Sequence, residues 1–290
     1  MGNKTAGDHP QDVDAFGAPP NVCRAQREGA IGIFDSGVGG LTVFQAVAAR
    51  LPDEPIVYLG DTARVPYGTK SPETVVRYAQ SCAGILLARG VKLLVVACNT
   101  ASAFALDALR ASVEVPVIGV VEPGARAALG RTRNRRIGVI GTSGTVSSGA
   151  YLRAIRALSP DSEVFAQACP LFVPLAEEGW TEGEVPRAVA REYLRPLLNN
   201  AIDTLILGCT HYPLLARTIG AVSGPGVTLV DSAAETAQAV AATLEDLGLR
   251  AQSTGPARRE FLVTDAPEVF TRVAKRFLDA ELHNVEWVDF

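Results

Sequence analysis

Lysine and histidine, the residues behind most cofactor and metal chemistry, are scarce in this chain. Of its 290 residues, four are lysines (Lys4, Lys70, Lys92 and Lys275) and three are histidines (His9, His211 and His283). Pyridoxal chemistry requires a Schiff-base lysine, and none of the four falls at a strand edge, so no cofactor is expected. A metal site requires several ligands close together, which the spread of the histidines does not offer, so no metal is expected. The five cysteines (Cys23, Cys82, Cys98, Cys169 and Cys209) form an odd set without C-x-x-C spacing. That excludes a zinc cage and a disulfide scaffold, and reads as reduced thiols in a cytoplasmic protein. No apolar stretch reaches the roughly 20 residues of a membrane span, so no membrane partner is expected. Positive charge is also short: the net charge is -4 and the pI about 5.5, which argues against a nucleic-acid groove. The one basic cluster, Arg131, Arg133, Arg135 and Arg136, reads as a solvated loop. Residues 1–28 hold no hydrophobic segment, so they are not a secretory signal, and they read as a disordered N-terminal extension.

What remains is rich in apolar residues, 48% of the chain, enough for a sizeable core and for two domains rather than one. From Ala30 onward, short β-branched runs alternate with longer amphipathic segments. The runs 31–34, 56–59, 93–97, 117–120, 137–140, 205–207 and 227–230 read as strands. The stretches 72–89, 102–111, 185–198 and 233–247 read as helices. Parallel strands need crossover connections, so this alternation predicts an α/β fold with helices on both faces of parallel sheets.

A faint repeat runs through it. Ile31-Gly-Ile-Phe-Asp-Ser-Gly resembles Ile137-Gly-Val-Ile-Gly-Thr-Ser, and about 70 residues after each start comes a second matched pair. One is Leu94-Val-Val-Ala-Cys98-Asn-Thr; the other is Leu205-Ile-Leu-Gly-Cys209-Thr-His. The expected architecture is two similar domains facing each other across a cleft. Residues 29–122 with 233–290 carry Cys98, and residues 123–232 carry Cys209.

A strand that ends in cysteine and runs into a helix places the thiol at the carboxyl edge of the sheet, where open α/β folds bind ligands. The helix N-terminus there is expected to lower the thiol pKa. Asn99 and Thr100 are capping types whose side chains and amides also suit a carboxylate. Either cysteine alone reads as a small core residue. As a matched pair they suit racemisation, in which one group removes the α-proton and another delivers a proton to the opposite face. Sulfurs each within roughly 3–3.5 Å of the α-carbon would lie about 7 Å apart, beyond disulfide range.

Three further features have two readings each. Asp35-Ser-Gly-Val-Gly-Gly40 lacks the third glycine of the dinucleotide fingerprint, and no G-K-[ST] triplet exists, which leaves nucleotide binding a minor reading. Asp35 is either a turn residue or a group that orients Cys98 or takes its proton. His211, two residues after Cys209, is either a helix cap or an acid–base partner of that cysteine.

Six stretches, in order from residue 31 onward, resemble bacterial glutamate racemases of the aspartate/glutamate racemase superfamily. They are Ile33-Phe-Asp-Ser-Gly-Val-Gly-Gly-Leu41, Gly60-Asp-Thr, Val65-Pro-Tyr-Gly68, Ala97-Cys-Asn-Thr-Ala101, Pro170-Leu-Phe-Val-Pro-Leu175 and Gly208-Cys-Thr-His-Tyr-Pro-Leu-Leu215. The resemblance implies cofactor-independent racemisation of glutamate, with Cys98 and Cys209 as the acid–base groups. It implies that Asp35 and Ser36 line the Cys98 side, and that Tyr67 and Gly68 help hold the distal carboxylate. Asn99, Thr100, Thr210 and His211 would hold the amino-acid end, with Thr142 and Thr145 also near substrate. A glutamate assists the second cysteine; Glu177 fits, though Glu178 follows directly. The resemblance further implies a cytoplasmic homodimer supplying D-glutamate for peptidoglycan. A sister enzyme acting on aspartate or another amino acid is the alternative, and a non-catalytic amino-acid-binding protein is a second.

Overall fold

The computed structural model describes residues 28–252, 257–278 and 281–290. The N-terminal extension expected over 1–28 lies outside the described residues, apart from Glu28.

Among the described residues, ten strands form two wholly parallel sheets. The first contains β1 (Ala30–Asp35), β2 (Ile56–Gly60), β3 (Val91–Val96), β4 (Val117–Gly119), β9 (Arg259–Val263) and β10 (Val285–Trp287), in the order β10-β9-β2-β1-β3-β4. The second contains β5 (Arg136–Gly141), β6 (Glu163–Ala168), β7 (Thr204–Gly208) and β8 (Thr228–Val230), in the order β6-β5-β7-β8. Strands β1, β2, β3 and β7 are buried along their whole length. Helices cover both faces, which is why these strands read as continuous apolar runs instead of alternating ones.

Each sheet has an apolar core on either side. Over the first sheet, helices Leu41–Arg50 and Ala233–Asp246 supply Leu41, Val47, Val240 and Leu244 to one core. Helix Pro72–Ala88, with Leu106 and Leu109, builds the other. Ser71 starts Pro72–Ala88 by accepting the Thr74 amide, with proline at the first helical position where no donor is lost. Over the second sheet, Phe172, Leu194 and Leu215 fill one core, and Val121, Ala125, Tyr151 and Ile155 fill the other. Helix Val121–Leu129, which follows β4, therefore packs on the second sheet, while Ala233–Asp246 packs on the first.

The strand orders place the cleft. In the first sheet the chain moves outward to one side of β1 through β2 and to the other through β3 and β4. In the second it moves to one side of β5 through β6 and to the other through β7 and β8. Crossover loops diverge at these reversals and leave a crevice at the carboxyl ends of the strands. Asp35 and Cys98 stand at the first reversal; Thr142 and Cys209 stand at the second.

The strands 163–168, 259–263 and 285–287 are additional to those expected from hydrophobic runs. β6 is a half-exposed edge strand, β10 has three residues, and β9 begins with Arg259 and Glu260. None of them carries a long apolar run. Among the described residues, no helix is long and apolar enough to cross a membrane.

Candidate active site

Asp35 ends β1 and is fully buried. Its Oδ2 accepts the Gly37 amide at 3.0 Å, and its Oδ1 faces the Thr210 hydroxyl at 3.4 Å, a residue of the second sheet's loop. Burial pushes the Asp35 carboxyl up, against the charge of His211 and the amides of Gly37 and Gly40. Cys98 caps the short helix Asn99–Phe104, and its thiol donates to the Ser36 hydroxyl at 3.7 Å. Ser36 thus lies beside the sulfur.

The electrostatics of Cys98 correct one expectation. Burial, reinforced by the Asp35 carboxylate, pushes this thiol up to about 12; the Ala101 amide and Ser36 hydroxyl oppose the rise without cancelling it. A helix of six residues supplies too few aligned amides to outweigh desolvation and a neighbouring negative charge. Cys98 therefore rests as a thiol, a proton donor.

The other side is built differently. Cys209 Sγ faces His211 Nδ1 at 3.8 Å, and His211 Nε2 lies 2.9 Å from Glu177 Oε1. Glu178 has no hydrogen bond or ion pair with His211, so Glu177 is the carboxylate that reaches the imidazole. Burial disfavours the charged ring, but Cys209 and Glu177 overcome it and raise His211 to about 10. The Phe277 ring meets His211 edge-on, with centroids 5.5 Å apart.

The halves meet closely. A Cβ on Gly39 would lie 2.3 Å from Thr210 Oγ1 and 2.5 Å from His211 Nδ1, so only glycine fits there. Thr100 from the first half and Thr142 and Thr145 from the second bring three hydroxyls within 2.9 to 3.1 Å of one another. Each hydroxyl can turn its proton toward an anion, so the trio suits a carboxylate. Gly68 abuts the same group, since a Cβ there would come within 2.5 Å of Thr142 Cβ. Asn99 accepts a hydrogen bond from Tyr151 at 2.7 Å.

The Tyr67 side chain turns away from the cleft. Its ring is buried, and its hydroxyl is donated to Asp61 and lies 3.7 Å from Cys82 Sγ. Asp61 also accepts from Arg64 at 2.7 Å and from Thr264 at 2.9 Å. The phenol thus anchors the loop from below, leaving backbone and Gly68 to border the cleft. Sequence reasoning read Gly39 and Asp61 only as parts of motifs and gave Tyr151 and Phe277 no role. A single Tyr on a helix, or a Phe in the turn after one, carries no such signal. Among the described residues, no cluster of three or more His, Cys, Asp or Glu side chains could hold a metal ion.

Comparison with known proteins gives a consistent result. Residues 41–240 match the family described as Asp/Glu/Hydantoin racemase. The glutamate racemase of Geobacter metallireducens is 56% identical over 256 residues, covering 88% of this chain and 95% of its own. The crystal structure of glutamate racemase from Thermus thermophilus in complex with β-chloro-D-alanine is 50% identical with a TM-score of 0.83, covering 91% of this chain and 98% of that one. That of Francisella tularensis glutamate racemase in complex with D-glutamate is 37% identical with a TM-score of 0.85, over the same shares.

Proposed function

The chain belongs to the Asp/Glu/hydantoin racemase family, and from this membership we infer that it is a glutamate racemase interconverting L- and D-glutamate by proton transfer at the α-carbon. The activity is that of its relatives at 47–56% identity, and the reaction class is isomerisation. The observation that carries the mechanism is a pair of cysteines, each at the reversal point of its own parallel sheet and each with its own acid–base companions.

In one direction Cys209 is the base. Acting as a thiolate beside His211 and Glu177, it takes the α-proton from one face of glutamate. The Cys98 thiol delivers its proton to the other face, leaving a thiolate at Cys98 and a thiol at Cys209. The opposite enantiomer reverses the two roles. The high pKa of Cys98 makes its thiolate a strong base for that return step. Thr100, Thr142, Thr145 and the Gly68 backbone suit one carboxylate; Asn99, Thr210 and Ser36 border the amino-acid end. Asp35, within reach of Thr210 and of the Cys98 field, balances charge between the two sides.

We propose a division into 29–122 with 233–290 around Cys98 and 123–232 around Cys209; helix Val121–Leu129, which packs on the second sheet, spans the join. A dimeric, cytoplasmic enzyme supplying D-glutamate for peptidoglycan fits the family.

The test is incubation of purified protein with L-glutamate in D₂O, followed by chiral separation and mass analysis. D-glutamate carrying one α-deuterium is the expected product. Absence of both product and exchange from folded, reduced protein would refute the reading, and faster turnover of L-aspartate in parallel would reassign the substrate.

A further inference from the structure

Tyr151 lies in the helix Ala150–Leu158 of the second half, yet its hydroxyl crosses to Asn99 of the first, the residue directly after Cys98. The side chain is buried, with 3% of its surface exposed. The ring is wedged between two glycines: a Cβ on Gly208 would approach it to 3.1 Å, and one on Gly124 would approach its hydroxyl to 3.2 Å. Gly208 immediately precedes Cys209, and Gly124 lies in the helix that links the two sheets. Tyr151 therefore touches the strand end that carries one sulfur and the residue after the other.

The hydrogen bond has a direction with chemical consequences. Burial, with the nearby Asp231 and Cys209, pushes the Tyr151 phenol up, so it keeps its proton and donates. Donation to Oδ1 at 2.7 Å commits the carbonyl end of the Asn99 carboxamide to Tyr151. Nδ2 must then point the other way. Among the described residues no protein group accepts from Nδ2, and it is not one of the buried polar atoms left without a partner, so it keeps some accessible surface. Without the phenol, the carboxamide is free to rotate by about 180°, since its two ends are nearly equal in size.

We propose that Tyr151 is a positioning residue that fixes the Asn99 carboxamide with its amide donors facing the substrate. The proposal rests on the racemase reading for the identity of the ligand. The phenol acts only through Asn99, never on the reacting atoms.

Four variants test it: Tyr151→Phe, Asn99→Asp, Asn99→Ala, and Tyr151→Phe combined with Asn99→Ala. Each is measured by KM and kcat for D-glutamate and, independently of turnover, by calorimetric binding of D-glutamate. Phe retains the wedge between the glycines, and the melting temperature reports any loss of packing. Loss of one oriented neutral hydrogen bond should weaken binding and raise KM about three- to tenfold, with kcat changed less. Asn99→Asp keeps an acceptor for the phenol but removes the amide donors, so its affinity should fall at least as far. Adding Tyr151→Phe to Asn99→Ala should change nothing further. Affinity within twofold of wild type in Tyr151→Phe, or a full additional loss on the Asn99→Ala background, would overturn the proposal. Wild-type protein that binds D-glutamate without racemising it would refute the racemase reading while leaving Tyr151 to be judged by binding. Failure of wild type to bind D-glutamate at all would overturn both.

Discussion

His211 Nε2 and Glu177 Oε1 lie 2.9 Å apart across the mouth of the second half, while the opposite ring nitrogen faces Cys209 Sγ at 3.8 Å. The histidine is buried and the glutamate is partly open to solvent. The imidazole is thereby kept charged well above its ordinary range, up to about 10.

Replacing Glu177 with Gln should release that hold. A raised folded-state pKa contributes stability that is complete below the unfolded histidine value of about 6.5 and is lost as pH rises through the folded value. In wild type the charged ring therefore persists to about pH 10. In Glu177→Gln the basic limb of kcat should move to lower pH, with kcat reduced more than KM is raised. An unchanged pH–rate profile would show that Glu177 has no part in holding the ring.

Alanine at Cys98 or at Cys209 should abolish racemisation in both directions. Loss of a general acid–base group costs about 10²–10⁴ in rate, and each turnover here uses both groups. Chiral chromatography of L- and D-glutamate incubations checks this; full activity from either single variant would exclude the two-thiol mechanism.

Asp35 raises the Cys98 thiol through its negative charge, so Asp35→Asn should move that thiol downward and toward thiolate. Cys98 should then be alkylated faster by iodoacetamide at neutral pH while kcat falls, because the thiol is a weaker base once ionised. Peptide mapping of the labelled protein separates Cys98 from the other cysteines. Slower labelling would contradict the assigned direction.

Gly39 has no room for a methyl group between Thr210 and His211. Gly39→Ala should force the two loops apart, costing about 1–3 kcal/mol in stability if they shift to accommodate it. Because the clash falls on two site residues, kcat/KM should fall by far more than the melting temperature suggests. Activity near wild type would mean the loops separate without consequence for catalysis.

Much of the architecture follows from local chemistry. Runs such as Leu93-Leu-Val-Val96 are too apolar for a one-sided sheet and too short for buried helices, so they specify parallel strands covered on both faces. The echo between Ala97-Cys98-Asn and Gly208-Cys209-Thr specifies two equivalent strand ends, and with them the two thiols. Residues next to these motifs, including Ser36, Asn99 and His211, are legible because they are tied to a strand terminus by one or two peptide bonds.

Other features depend on what stands opposite. β6, β9 and β10 gain their place by pairing with strands already buried, and neither their length nor their apolar content announces them. Tyr67 could face either the cleft or the core; Asp61, Arg64 and Thr264 draw its hydroxyl inward. Glu177 and Glu178 are chemically equivalent, and the 100° step between neighbours on a helix sends only one toward His211. The strand-helix alternation, the two cysteine-bearing strand ends and the racemase motifs are legible locally, because each depends on residues close together in the chain. The high pKa of the Cys98 thiol, the raised His211 and the Tyr151–Asn99 contact were decided by tertiary structure alone. Burial and electrostatic fields depend on distances through space, which chain separations of 63, 34 and 52 residues do not encode.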